Sequence, residues 1–179
     1  MLKVKLVSTD SEIDQIAELS LANLRTRLSS ETMAQEGFIT WEYTSEALHA
    51  VHQVVPSVVV MDGDNLAGYA ISLTYGCIPV YPPMAHTWNH ISSLRNLGSQ
   101  RFYLMGQICV APSYRGQGVV DLLYQGHRSY FSPDFDFLAT EISTSNVRSR
   151  KAHLKVGFEI IDTYRDAVDQ WDVVLWDWR

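Results

Sequence analysis

The segment from Gln107 to Leu123 concentrates more potential chemistry than any other part of the chain. An apolar strand runs into Pro-Ser-Tyr-Arg-Gly-Gln-Gly at 112–118, and Val119, Leu122, Leu123 and Tyr124 then recur at helical intervals. Glycines at a strand-to-helix turn let the main chain approach a ligand with no Cβ in the way. The free N–H groups of the first helical turn point at whatever sits there, and the helix dipole favours an anion. These residues therefore predict a phosphate or pyrophosphate cradle on the main chain between Arg115 and Val120. A plain turn with two glycines satisfies the same local pattern, so the ligand stays open at this point. No Gly-Lys-Ser/Thr follows, which removes the lysine and magnesium hydroxyl of a P-loop. The dinucleotide fingerprint needs another glycine spacing and an early position in the chain.

Other reactive side chains are sparser. Cys77 and Cys109 each lie in an apolar stretch, without the short spacing of a zinc knuckle or a disulfide framework, and neither has an evident base beside it. His49 and His52 stand three apart on an expected helix with no third ligand near them, and His86 and His90 are isolated, so no metal site is expected. Glu31, Glu36 and Glu42 suit a cationic substrate and suit a solvated surface equally well. Trp171, Trp176 and Trp178 read as core, with a subunit contact in a homodimer and a substrate cage as the alternatives.

The elements that must position these residues alternate between strand and helix. A strand is expected over 2–7. A capping box follows, Thr9 with Glu12, and Ile13, Ile16, Ala17, Leu21, Leu24 and Leu28 continue at helical intervals. A second helix is expected over 45–54, stopped by Pro56. A hairpin is expected from Val58–Met61 and Leu66–Leu73 around Asp-Gly-Asp-Asn. Residues 76–100 read as an irregular connection with one short helix over 86–97, and a connection that long is usually functional. A strand over 102–110, a helix after Gly118, a strand over 136–143, a helix over 146–156 stopped by Gly157, and strands over 158–164 and 171–178 complete the order.

At 179 residues the chain is expected to be one α/β domain spanning 1–179. With 14 Lys and Arg against 20 Asp and Glu, its net charge of −6 argues against a protein that tracks a nucleic-acid backbone. The N-terminus turns polar by Ser8 and no apolar run reaches membrane-spanning length, so neither secretion nor membrane insertion is expected, and a reducing cytoplasmic setting is the default.

Residues 108–120, Ile-Cys-Val-Ala-Pro-Ser-Tyr-Arg-Gly-Gln-Gly-Val-Val, closely resemble the acetyl-CoA-binding motif of the GNAT superfamily of N-acetyltransferases, Gln/Arg-x-x-Gly-x-Gly/Ala. Arg115 fills its first position and Gly118 its fourth, while Val120 departs from the usual Gly or Ala. A second stretch, Asn146-x-x-Ser149-x-x-x-His153-x-x-x-Gly157-Phe158, is similar to the family's later helix, in the right order and at the family spacing. The resemblance implies a mixed, mostly antiparallel sheet flanked by helices and splayed to admit acetyl-CoA as co-substrate.

It further implies that the main chain of Arg115, Gly116, Gln117, Gly118, Val119 and Val120 holds the pyrophosphate. The backbone of Ile108 and Val110 would pair with the pantetheine arm, and Asn146 and Ser149 would border it; Asn146 is equally placed as the N-cap of the later helix, and the Arg115 side chain is a structural cation or a phosphate contact. His153 falls where many members place a tyrosine that contacts the sulfur, and is the candidate catalytic residue, acting as a protonated imidazole or as a simple hydrogen-bond donor. Its alternative role is that of a packed histidine. The family's usual glutamate on the central strand is replaced by Gln107, and position 104 is leucine, so Glu141 and Tyr75 are the remaining candidates to assist deprotonation. The expected activity is transfer of an acetyl group to a primary amine, on a small molecule or a peptide, by direct attack. The alternative is a CoA-binding module without turnover.

Overall fold

Thr9 opens the first helix as its spacing requires: its hydroxyl accepts the Glu12 N–H, and the Glu12 carboxylate reaches back to the amides of Ser8 and Thr9. The computed structural model describes residues 1–179, and its strands form one seven-stranded sheet. In chain order the elements are β1 (Leu2–Leu6), α1 (Asp10–Ala22), α2 (Ser30–Glu36), α3 (Ser45–His52), β2 (Val58–Asp62) and β3 (Asn65–Leu73). There follow α4 (Met84–Ser93), β4 (Phe102–Val110), α5 (Val119–Phe131), β5 (Phe137–Ser143), α6 (Val147–Val156), β6 (Glu159–Arg165) and β7 (Gln170–Asp177). The strands lie side by side as β1-β2-β3-β4-β5-β7-β6.

Every neighbouring pair is antiparallel except β4 and β5. Those two pair in parallel only over Phe102–Leu104 against Phe137–Ala139, and then diverge. At the point of divergence the Thr140 hydroxyl donates to the Met105 carbonyl at 2.7 Å, a side chain closing the ladder where the backbone leaves it. Beside it, β4 bulges. Ile71 faces Gln107 and Ser72 faces Met105, leaving Gly106 without an opposite residue. A Cβ on Gly106 would sit 2.4 Å from the Tyr43 hydroxyl and 2.7 Å from Leu73 Cδ1. Glycine here permits close packing rather than an unusual backbone.

Helices α1 and α5 cover opposite faces. On β3, Gly68 lies under Val119 and Leu123 of α5, while Ser20 of α1 stands near the hydroxyl of the next residue, Tyr69. Helix α6 caps the open side of the splay beside β5 and packs on α2.

The periodic segments match their expected ranges to within a residue or two, and the aperiodic ones differ more. The expectation that α1 continues through Leu24 and Leu28 fails at Asn23, whose side-chain amide donates to the Leu19 carbonyl at 2.9 Å and ends the helix. A 3₁₀ turn at Arg25–Arg27 replaces the end of that expected helix, and α2, capped by Ser29, occupies a stretch in which no element was expected. In the long connection, α4 begins at Met84 and stops at Ser93. The following turn holds Arg95 and Asn96 at φ 48° and 58°, left-handed conformations that end the helix. No helix is long and apolar enough to cross a membrane.

Candidate functional site

The turn before α5 leaves a row of main-chain donors free. Gly116 and Gly118 have φ of 75° and 78°, and a Cβ on either would meet nothing within 4 Å. Glycine is required there by the left-handed backbone, and the space beside it is open. The N–H groups from Gly116 through Asp121 have no hydrogen-bond partner in the protein; the first α5 residue bonded back to the turn is Leu122, to the Gly118 carbonyl at 3.1 Å. This row is longer than the four orphan donors of an ordinary helix start. It begins one residue later than expected, because the Arg115 N–H donates to the Pro112 carbonyl at 3.3 Å.

The Arg115 side chain is also committed. It donates to the Val110 carbonyl at 3.3 Å, to Glu36 at 2.8 Å and to Asn23 at 2.9 Å, fastening the turn to α1 and α2. Its guanidinium is a brace, which was the alternative to a phosphate contact. The Gln117 side chain folds back onto the Ser113 carbonyl at 2.8 Å. Val119 is buried and turned into the sheet, while Val120 lies on the cleft wall.

The open edge of β4 continues the site. Ala111 donates to Ala67 on β3 at 2.9 Å, so by strand alternation the N–H and C=O of Ile108 and Val110 point away from β3, toward the gap left by β5. The free amides, this edge and the α6 residues Ser149 and His153 border one cleft of about 430 Å³. Asn146 is its lower corner: its side-chain oxygen accepts the Ser149 N–H at 3.3 Å, and its amide donates to the Phe38 carbonyl at 2.8 Å. Both halves of that side chain serve the fold, as the N-cap of α6 and as the tie to the segment before β2.

His153 is 2% exposed. Its Nδ1 faces the Ser149 carbonyl at 2.8 Å, and Nε2 has no partner. Burial in apolar surroundings lowers its pKa to about 4, so the ring is neutral at pH 7. With the proton on Nδ1, toward the carbonyl, Nε2 carries a lone pair and accepts. A protonated imidazole, one of the two states in which this residue was expected to act, is therefore absent at neutral pH. Tyr124 packs edge-on against it, with ring centroids 5.5 Å apart. The Tyr124 hydroxyl is buried without a partner, and burial raises its pKa, so it is an O–H donor on the same cleft. The sequence marks Tyr124 only as a helical core position; its polar atom becomes visible once α5 and α6 are packed.

A narrower space of about 80 Å³ leads past the Gly106 bulge to a second cavity of about 280 Å³. Asn146, Ser149 and His153 border both the first cleft and this passage, and Glu141 and Trp171 border both the passage and the second cavity. Glu141 accepts from Tyr164 at 2.7 Å and from Thr87 at 2.8 Å, and burial raises its pKa above the usual carboxylate value. The other candidate, Tyr75, is exposed and packs on Trp88, away from both cavities. Gln107 is held by the Tyr69 hydroxyl and by the Trp41 carbonyl, to which its amide donates at 2.9 Å. In Gln107→Glu a carboxylate would oppose that carbonyl in a buried position. Cys109 has its thiol pushed up to about 12 by burial, which leaves no thiolate nucleophile there.

No family model and no curated protein matches the sequence. Solved structures do match the fold. An acetyltransferase of the GNAT family from Streptococcus agalactiae superposes with a TM-score of 0.67 at 16% identity, covering 99% of this chain and 96% of that one. Ard1 from Thermoplasma volcanium gives 0.64 at 14% identity, over 98% and 97% of the two chains. Naa50 from Arabidopsis thaliana, solved with the bisubstrate analogue CoA-Ac-MVNAL, gives 0.62 at 16% identity over 99% of each. With an open, mostly antiparallel sheet divided between β4 and β5 and matched over nearly its whole length, this chain has the fold of the GNAT N-acetyltransferases.

Proposed function

We propose that the protein is an N-acetyltransferase that moves the acetyl group of acetyl-CoA to a primary amine by direct attack. The observation that carries this reading is the row of unpartnered amides from Gly116 to Asp121, set at one end of the gap between β4 and β5. Those donors fit a pyrophosphate. The outward N–H and C=O groups of Ile108 and Val110 fit the amides of a pantetheine arm, which would lie as a short added strand with Ser149 and Asn146 on its other side. Lys155 and Arg148 on the cleft wall add positive charge.

In the reaction the neutral amine nitrogen forms a bond to the thioester carbonyl carbon, the C–S bond breaks, the nitrogen gives up one proton and the thiolate takes one; an amine that arrives as ammonium first loses one further proton, which leaves to solvent. Glu141 is the carboxylate nearest the passage and, with its raised pKa, the group suited to accept the first proton. The Tyr124 hydroxyl is the donor suited to the thiolate, with His153 beside it as a neutral acceptor. The buried thiol of Cys109 supports direct attack over an acyl-enzyme. In favour of the second reading, a CoA-binding module without turnover, stands the full engagement of Gln107, where the resemblance implies a glutamate.

Gly118→Glu places a side chain and a negative charge in the cradle. Calorimetry should show CoA affinity falling by more than about 100-fold in a variant that melts like a folded protein. Unchanged affinity would remove the cradle from this site. Release of free thiol from acetyl-CoA in the presence of an amine panel separates the enzyme from the silent binder.

A further inference from the structure

The second cavity is walled mainly by aromatic rings. Trp41 stacks on Trp171 with centroids 6.3 Å apart, Tyr43 stacks on Tyr81 at 4.8 Å, and Tyr164 stands beside Glu141. Glu141 and Asp166 line it with His86 and no Lys or Arg, whereas the first cleft mixes Arg115, Arg148 and Lys155 with Glu36 and Asp121. A carboxylate at the end of an aromatic box matches an ammonium group, which gains from the ring faces and from the counter-charge together.

The connection between β3 and β4 forms one wall of this cavity. It is long where a hairpin would do, and three contacts fix α4 to β5, which borders the gap, and to the edge strand β6. Thr87 bonds Glu141 of β5, His90 Nε2 lies 2.8 Å from Asp162 of β6, and the His90 ring packs on Tyr164 at 4.3 Å. The space left, about 280 Å³, is at the small end of ligand pockets.

Resting on the acyl-transfer reading above, we infer that the acceptor is a small primary amine, cationic in solution and carrying an apolar body, which lodges in the Trp41, Tyr43, Tyr81, Tyr164 and Trp171 box with its nitrogen toward Glu141. The passage beside Gly106 then aims that nitrogen at the first cleft. A peptide N-terminus would have to pass its following residues under α4, which the contacts from Thr87 and His90 hold down.

The test is calorimetric titration of the whole protein, with and without CoA, using phenethylamine and its neutral counterpart 2-phenylethanol. The amine should bind at least about tenfold more tightly than the alcohol. Glu141→Gln keeps both neighbouring hydroxyls bonded and removes the charge. It should weaken the amine about tenfold or more, leave the alcohol within about twofold and leave CoA affinity unchanged. Trp41→Leu should weaken amine and alcohol alike. Equal affinity of amine and alcohol, an amine affinity indifferent to Glu141→Gln, or thiol release supported by a free-N-terminal tetrapeptide and by no small amine would each overturn the assignment. Failure of CoA to bind would instead strike the acyl-donor reading, because the amine titration is made without CoA as well.

Discussion

At the scale of single residues, two buried rings packed edge-on, Tyr124 and His153, are held in definite protonation states. Tyr124 keeps its proton because burial opposes the phenolate, and His153 stays neutral because burial opposes the imidazolium. Tyr124→Phe should therefore lower kcat about 10–100-fold while leaving CoA affinity within about twofold, whereas His153→Phe should change kcat far less. Steady-state kinetics with both variants checks this, and the opposite ranking would return the donor role to the histidine. The buried histidines also set an acid limit. His127, whose Nδ1 lies 2.7 Å from the Tyr103 hydroxyl, has a pKa lowered to about 3. Both rings take a proton in the unfolded chain below its ordinary value of about 6.5 and resist it when folded, so stability falls as pH drops from there toward about 4. Each contributes a slope of about 1.4 kcal/mol per pH unit in that window. Denaturation midpoints against pH should show a shallower acid limb in His153→Phe than in the wild type.

At the scale of elements, the site depends on β4 leaving β5 after three residue pairs, and the Gly106 bulge is where that departure is packed. Tyr43, just before α3, lies over the glycine so closely that a methyl group would clash with its hydroxyl and with Leu73. Gly106→Ala should destabilise the fold by about 1–3 kcal/mol, the usual range for overpacking. Tyr43→Phe, which removes the nearest atom, should recover part of that loss in the double variant. Chemical denaturation of the four proteins checks the coupling, and strictly additive effects would show that the bulge and Tyr43 do not share this contact. The same contact links the second cavity to the strand that would carry the acyl donor, because the Tyr43 ring also stacks in the aromatic box.

Across the whole molecule, charge is distributed against the net value. The chain carries −6, yet α6 holds Arg148, Arg150, Lys151 and Lys155 within ten residues, beside the cradle. Arg148 and Arg150 are paired with Glu36 and Asp172, which leaves Lys151 and Lys155 as the cations of α6 without an ion-pair partner to draw a multiply charged anion to that end. CoA affinity should therefore weaken several-fold, roughly three- to tenfold, as NaCl rises from about 0.05 to about 0.5 M, where the Debye length shrinks to a few ångströms. Binding of 2-phenylethanol to the aromatic box should be nearly flat over the same range. Isothermal titrations at stepped ionic strength distinguish the two ends of the molecule.

The strand order along the chain, both helix caps at Thr9 and Asn146, the left-handed turn at Gly116 and Gly118, and the later helix ending at Gly157 are all local properties. Each follows from hydrogen bonds or backbone sterics within a few residues, so each was legible in the sequence. The resemblance that these residues carry also placed the elements in an order that the sheet bears out. What lay beyond the sequence depends on groups far apart in the chain. Glu36 and Asn23 claim the Arg115 guanidinium from 79 and 92 residues away, and Thr87 reaches Glu141 across 54. Trp41 meets Trp171 only because β7 lies beside β5. The same holds for the protonation of His153 and Tyr124, since a pKa shift by burial belongs to the packed interior and has no signature in residue type or spacing. Local sterics wrote the glycine turn with its free amides into the sequence; long-range packing alone decided which side chains face the two cavities and in what charge state.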